Sequence, residues 1–292
     1  MHTTLISTEL LAEHLIDASW LVVDCRYNLN DEKWGRREYE AGHIPGAVFV
    51  DVAHDLAAPR SGVNGRHPLP TVEAMAITFG RLGVANGVQV IAYDQEAGAF
   101  ASRLWWMLRY LGHDAVAVLD GGFAKWTREG RSVRGGQETR QPARFTPRVR
   151  QEMRVTVDET LAHLGDPSVL LVDARSPDRY AGKPDPLDNV YGHIPGARNR
   201  YYRHNVTDAG AMRSAGELKA DFEQVLAGTP ASHTVMYCGS GITACHNLLA
   251  MEHAGLHGAR LFAGSWSEWE SDSNRPVERT ASADDRKDRS KS

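Results

Sequence analysis

Two apolar runs, Leu21 to Asp24 and Val88 to Tyr93, stand out in the first half of the chain as buried strands. Stretches of helical period lie around them. Over 7–17, Leu10, Leu11 and Leu15 share one face, and Ser7 sits where an N-cap belongs. A second helix is predicted over Ala101–Leu111, ended by Gly112, and Val116–Leu119 reads as a further strand. Short apolar runs alternating with amphipathic segments predict an α/β fold, a parallel sheet with helices on both faces.

The pattern occurs twice. Leu21-Val22-Val23-Asp24-Cys25-Arg26 returns as Leu170-Leu171-Val172-Asp173-Ala174-Arg175, 149 positions on. Gly42-His43-Ile44-Pro45-Gly46-Ala47 returns as Gly192-His193-Ile194-Pro195-Gly196-Ala197, at an offset of 150. Val90 to Asp94 matches Thr234 to Cys238, and Gly121 to Trp126 matches Gly264 to Trp269. A period as long as a domain means duplication, not a solenoid. The organisation expected is one domain over 1–134, a polar linker over 135–154 carrying Gly135-Gly136, Pro142 and Pro147, and a second domain over 155–277. The charged, Ser-rich tail over 278–292 has no apolar period and is expected to be disordered.

Composition narrows the classes of function. The chain has 292 residues, is 42% apolar and 24% charged, and carries a formal net charge of −4. That balance fits two soluble domains and argues against nucleic acid as a partner. No apolar run reaches the roughly 20 residues of a membrane span. The start, Met1 to Ser7, lacks a basic segment followed by an apolar one, so no secretory signal is expected. Cys25, Cys238 and Cys245 form neither a disulfide framework nor a zinc spacing. The expectation is a cytoplasmic protein with free thiols, without metal or cofactor.

The candidate chemistry lies in Thr234 to Ala244. Val235 to Tyr237 ends a strand, Cys238 follows, then Gly239-Ser240-Gly241, then a helix over 244–254. Loop amides and a helix N-terminus favour negative charge and lower a thiol pKa. A buried structural cysteine is the plain alternative. In parallel sheets, sites form beyond the carboxyl ends of the strands. The first copy carries Asp94-Gln95-Glu96-Ala97-Gly98-Ala99 at that place, so only the second copy can be thiol-active.

The duplicated D-x-R and G-H-I-P-G-A blocks, the C-G-S-G-I-T-A loop and the final G-S-W-S-E-W together resemble the two-domain rhodanese family of sulfurtransferases, over about residues 5 to 277. The nearest pattern is the branch that uses 3-mercaptopyruvate. The resemblance implies two tandem rhodanese-like domains. It also implies that Cys238 accepts a sulfane sulfur as a persulfide and passes it to cyanide or a thiol, with thioredoxin or another dithiol as the expected partner. Ser240, Asp51 and His67 are then expected to form a relay, and Arg179 to hold the donor carboxylate. Gly239, Gly241, Ile242 and Thr243 complete the substrate loop.

Thiosulfate-specialised members resemble C-R-K-G-V-T, whereas Gly239 and Ser240 are neutral. That favours mercaptopyruvate, with thiosulfate as the alternative donor. The branch has a second arginine where Leu187 stands, and Arg198 or Arg200 is the candidate replacement. The D-x-R pairs are expected to be structural, His43 and His193 to bond their turns, and Trp105, Trp106, Trp126, Trp266 and Trp269 to be core, with Cys25 and Cys245 buried. Two rivals remain. A phosphatase loop, C-x₅-R, would need arginine where Ala244 stands. A non-catalytic sulfur carrier or interaction module would not need the complete loop around Cys238.

Overall fold

The computed structural model describes residues 1–280. In the first half, the elements run β1 (Leu5–Ile6), α1 (Thr8–Glu13), β2 (Trp20–Asp24), α2 (Trp34–Ala41), β3 (Val48–Phe49), α3 (Val72–Arg81), β4 (Gln89–Tyr93), α4 (Ala101–Tyr110), β5 (Val116–Leu119) and α5 (Gly122–Arg128). The second half repeats them as β6 (Arg154–Val155), α6 (Val157–Ala162), β7 (Leu170–Asp173), α7 (Pro177–Ala181), β8 (Arg198–Asn199), α8 (Ala215–Leu226), β9 (Thr234–Tyr237), α9 (Thr243–His253), β10 (Arg260–Phe262) and α10 (Ser265–Trp269). Each half holds a five-stranded parallel sheet, ordered β1-β5-β4-β2-β3 and β6-β10-β9-β7-β8. The central strands are buried on both faces, which is why they read as unbroken apolar runs.

Helices α4 and α9 are buried along most of their length. Ala101 to Leu108 and Ala244 to Met251 are buried without interruption. Such a helix belongs in the middle of a molecule. The two pack on each other and join the halves into one core that runs from Trp106 and Leu108 to Leu248 and Leu249.

The D-x-R pairs tie each central strand to the turn beside it. Arg26 grips the Asp24 carboxylate through Nε and Nη2, at 2.9 and 2.7 Å, and donates to the Gly42 carbonyl. Arg175 repeats this with Asp173 and the Gly192 carbonyl, at 2.7 Å for each Nη2 contact. The Tyr93 hydroxyl donates to Asp24 and accepts the Ile44 amide. His43 and His193 bond the Tyr39 and Tyr180 carbonyls through Nδ1, both at 2.7 Å, and stack on those rings. These groups set the G-H-I-P turns, and the five tryptophans named above are core.

Several boundaries differ from expectation. The helix predicted over 7–17 stops at Glu13, although Ser7 does cap it. Asp17 draws the Ser19 amide to its carboxylate at 2.8 Å, and that local bond competes with a continuing helix. The stretch expected as a linker is bound to the first half rather than slack. Ala143, Arg148 and Arg150 donate to the carbonyls of Gly80, Leu111 and Tyr110, and Phe145 meets Phe79 edge-on. Its last residue, Arg154, already belongs to β6. The first residues of the expected tail are held against the second half. Glu278 pairs with His193 through both backbone bonds, and its carboxylate accepts the Gly196 amide. Residues 281–292 of the expected disordered tail lie outside the described residues.

The buried clamp gives a stability prediction. Arg26 and Asp24 are 3% and 0% exposed, so Arg26→Ala leaves a carboxylate buried without its cation. Urea unfolding of the variant should show a loss of about 3–5 kcal/mol. A loss under about 1 kcal/mol would mean that water reaches Asp24.

Candidate active site

Cys238 caps the carboxyl end of β9, and the loop 238–242 delivers the chain into α9. The thiol is buried, and Sγ accepts the Gly241 N–H at 3.1 Å. The turn between β10 and α10 holds the loop from behind. The Trp266 amide donates to the Cys238 carbonyl at 2.9 Å and the Ser267 amide to the Gly239 carbonyl at 3.0 Å. The Cys238 amide donates to Ser265 Oγ at 3.1 Å. The G-S-W-S-E-W block therefore fixes the cysteine loop as well as supplying core tryptophans.

Gly241 is a glycine by necessity. Its φ is +78°, and a β-carbon would lie 2.1 Å from the Ala263 carbonyl oxygen. It sits behind the cavity wall, unlike Gly239, Ser240, Ile242 and Thr243, which line the cavity. Gly239 is glycine for a different reason. A β-carbon there would lie 2.7 Å from Nη2 of Arg66 and 3.0 Å from Nη2 of Arg179. Two guanidinium groups stand directly over the residue after the cysteine.

Arg179 is fixed by Asp188, which accepts from Nε at 2.8 Å and from Nη2. Arg66 reaches across from the first half. It donates to the Leu187 carbonyl, lies 3.6 Å from Asp188, and has its own amide bonded to Ser267 Oγ at 2.9 Å. Asp188 also accepts from Arg175 at 3.2 Å. Arg66, Arg175 and Arg179 thus share three carboxylates, Asp173, Asp188 and Asp185, the last 3.7 Å from Arg179 Nε. Burial draws the Arg66 pKa down and Asp188 opposes that.

The second guanidinium over Gly239 is that of Arg66. The expected replacements do not reach the site. Arg198 is exposed and bonds the Val225 carbonyl, and Arg200 is buried over the Phe222 ring near Asp221. Arg66 adjoins His67 in the sequence, so the signal was local. Arg66 comes from the first half of the chain, across the cleft from the loop it serves.

Ser240 and His67 are brought together, Oγ to Nδ1, at 2.8 Å. Asp51 is not joined to them. Its Oδ1 accepts the amides of Ala53 and His54 at 2.9 and 3.2 Å and meets the His54 ring, so the carboxylate closes the 51–55 turn. His67 Nε2 is buried without a hydrogen-bond partner. Burial against Tyr27, helped by the charges of Arg103, Arg60 and Arg66, pulls the His67 pKa down to about 3. The imidazole is neutral at physiological pH.

The Asp94 loop faces the cysteine loop across a cavity of about 430 Å³. Its carboxylate takes the amides of Glu96, Gly98, Phe100 and Ala101 at 3.2, 2.9, 2.7 and 3.2 Å. Burial pushes the Asp94 pKa up, against those four amides, which favour the anion. The degenerate loop is an anion cradle filled by its own side chain.

A duplicated α/β protein with a single cysteine site between its halves is the class that this fold and cleft define. The chain belongs to the rhodanese-like domain family, whose model matches residues 7–129 and 156–272. It is 42% identical over 275 residues to a protein of Pseudomonas aeruginosa described as "Probable 3-mercaptopyruvate sulfurtransferase", covering 94% of this chain and 97% of that one. It is 32% identical over 280 residues to rat thiosulfate sulfurtransferase, covering 92% of each. The solved structure of 3-mercaptopyruvate sulfurtransferase from Leishmania major matches with a TM-score of 0.84 at 32% identity, over 94% of this chain and 76% of that one.

A neutral buried histidine makes stability depend on pH. Unfolded, His67 takes a proton near 6.5; folded, it takes one near 3. The unfolded chain binds more protons between those values, so stability falls as pH drops from about 6.5 toward 3. Urea midpoints of His67→Asn should decline less steeply than wild type between pH 6.5 and 4.5, by up to about 1.4 kcal/mol per pH unit. Parallel curves would place the wild-type pH dependence elsewhere.

Proposed function

We propose that this chain is a sulfurtransferase that takes sulfur from 3-mercaptopyruvate through a persulfide on Cys238. The observation that carries the reading is the pair Arg66 and Arg179 over Gly239, beside a sulfur bonded by a loop amide. Two guanidinium forks suit a carboxylate. They leave the carbon bearing the donor thiol to point at Cys238.

The Cys238 thiolate attacks the donor sulfur. The carbon–sulfur bond breaks, and its electron pair leaves as the enolate of pyruvate. The proton on the transferred sulfur passes to the enolate carbon, which leaves pyruvate and the Cys238 persulfide anion. Ser240, oriented by neutral His67, offers the hydroxyl that can carry this proton. An acceptor thiolate then attacks the outer sulfur and frees the Cys238 thiolate. Asp51 makes no hydrogen bond to His67, and its Oδ1 serves the 51–55 turn, so the relay proposed runs through Ser240 and His67.

Thiosulfate is the second reading. The rat relative is named for it, and the guanidinium groups over Gly239 can meet an anion of either kind. Against it stands the neutrality of the loop itself: a cationic side chain at 239 has no room beneath Arg66 and Arg179. We infer a reducing, cytoplasmic setting, since the three cysteines are free and the chemistry needs the thiol. Thioredoxin or a similar dithiol is the acceptor proposed. Among the described residues, no helix is long and apolar enough to cross a membrane.

Side-by-side cyanolysis should give kcat/KM for mercaptopyruvate at least tenfold above that for thiosulfate. The reverse order would make thiosulfate the donor. Cys238→Ser should abolish turnover with both. Arg66→Ala and Arg179→Ala should each raise KM for mercaptopyruvate by roughly tenfold or more, the loss of a charge-assisted bond. An unchanged KM in both would remove the carboxylate from this clamp.

A further inference from the structure

Beneath the cysteine loop lies an arginine for which neither the sequence pattern nor the sulfur-transfer chemistry above has a use. Arg103 rises from the first turn of α4, in the half of the molecule that carries no thiol, and is 0% exposed. Its Nη1 donates to the Gly241 carbonyl at 3.1 Å. Its Nη2 is shared between the carbonyls of His67 and Leu56, at 3.2 and 3.4 Å. Nε is buried without a partner. One guanidinium thus joins the loop of Cys238, the segment of His67 and the 51–56 turn.

A buried cation costs several kcal/mol unless an anion answers it. Among the described residues, no carboxylate pairs with Arg103; the ionisable groups that act on it are the thiols of Cys245 and Cys238. Cys245 is a poor anion: burial pushes its pKa up to about 12, and its Sγ donates to the same Gly241 carbonyl at 3.2 Å. That leaves Cys238, whose Sγ takes the amide of the very residue whose carbonyl Arg103 holds.

We propose that Arg103 is the buried countercation and positioning residue of the Cys238 sulfur. It fixes Gly241 so that its amide meets Sγ, and its charge favours the sulfur as an anion, thiolate and persulfide alike. It touches no donor, since it lies on the far side of the loop from the cavity. Other charges line the cleft: Arg175 is held by Asp173, Arg203 lies 3.7 Å from Glu96, and Arg66 also acts on Cys238 from above. Arg66 and Arg179, over Gly239, are tied to Asp188. Asp94, across the cleft, is closed in its own cradle. Tyr202, on the same wall, has its pKa pushed up by burial and stays neutral. His67, bonded to Ser240, is neutral too.

The consequence for turnover rests on the sulfurtransferase reading; the anion itself does not, so the test uses no donor. The pH dependence of iodoacetamide alkylation at Cys238, followed by mass spectrometry of the intact full-length protein, reads the thiolate directly. Arg103→Gln keeps a donor for the carbonyls and removes the charge. Its alkylation midpoint should rise by about one pH unit or more, the effect of losing an opposite charge nearby. Arg103→Lys keeps the charge without the fork. Its midpoint should stay within about 0.3 units of wild type, while kcat for sulfur transfer falls at least tenfold at unchanged KM. A folded Arg103→Gln with the wild-type midpoint overturns the proposal. So does an Arg103→Lys midpoint shifted by a full unit, and that variant decides the matter if the Gln protein does not fold. If the midpoints behave as expected but no donor is turned over, the countercation stands and the sulfurtransferase reading falls.

Discussion

Helices α4 and α9 are buried along most of their length, and each finds cover against the other and the sheets beneath. An isolated half would leave one such helix facing water, a large apolar surface with nothing to hide it. The duplication thus gives each of these helices its cover. Because the two helices are each opened by the loop after a central strand, burying them together brings both loops to one cleft. The first half then supplies Arg66, His67 and Arg103 to a cysteine that it does not own.

The Asp94 loop shows what such a loop holds. Four amides converge on a carboxylate at the end of β4, with no cation in the arrangement. Converging backbone dipoles can stabilise a buried anion without a salt bridge. The cysteine loop is the same device emptied of its own charge. Its anion is to be a sulfur, larger, softer and able to extend by one atom into the cavity. The carboxylate loop is complete and inert, and the thiol loop is incomplete until the sulfur ionises. One copy is scaffold and the other site for that reason.

Much of this was legible in the sequence. The strands at 21–24, 89–93, 116–119 and 234–237 are apolar runs with no competing reading, and repetition doubled the signal. The cysteine loop declared itself by its small residues and by the contrast with Asp94. Other parts depend on distance in space, which sequence separation hides. Asp51 and His67 are near in sequence, yet the turn at 51–55 takes the carboxylate away. Arg103 sits among Leu104, Trp105 and Trp106 and reads as one polar residue in a core helix. Only the meeting of α4 with the loop before α9 gives it a purpose. The end of α1 departs from its leucine period because that pattern says nothing of a side chain, Asp17, that claims a backbone amide for itself.

The placement of charge follows from one geometric choice. A loop that carries its own cations must splay them outward from the residues after the cysteine. Here those residues are small, and the cations come from three other segments: Arg179 on α7, Arg66 before His67, and Arg103 on α4. Two stand above the loop and one below, with the sulfur between. The upper pair is held in place by Asp188, with Asp185 3.7 Å from Arg179. The lower one is left unbalanced in a dry site, where its effect on the sulfur is least screened. On the function and countercation proposed, binding falls to Arg66 and Arg179 and ionisation to Arg103. A change at Arg66 or Arg179 alters what the cleft holds. A change at Arg103 alters what the cysteine is.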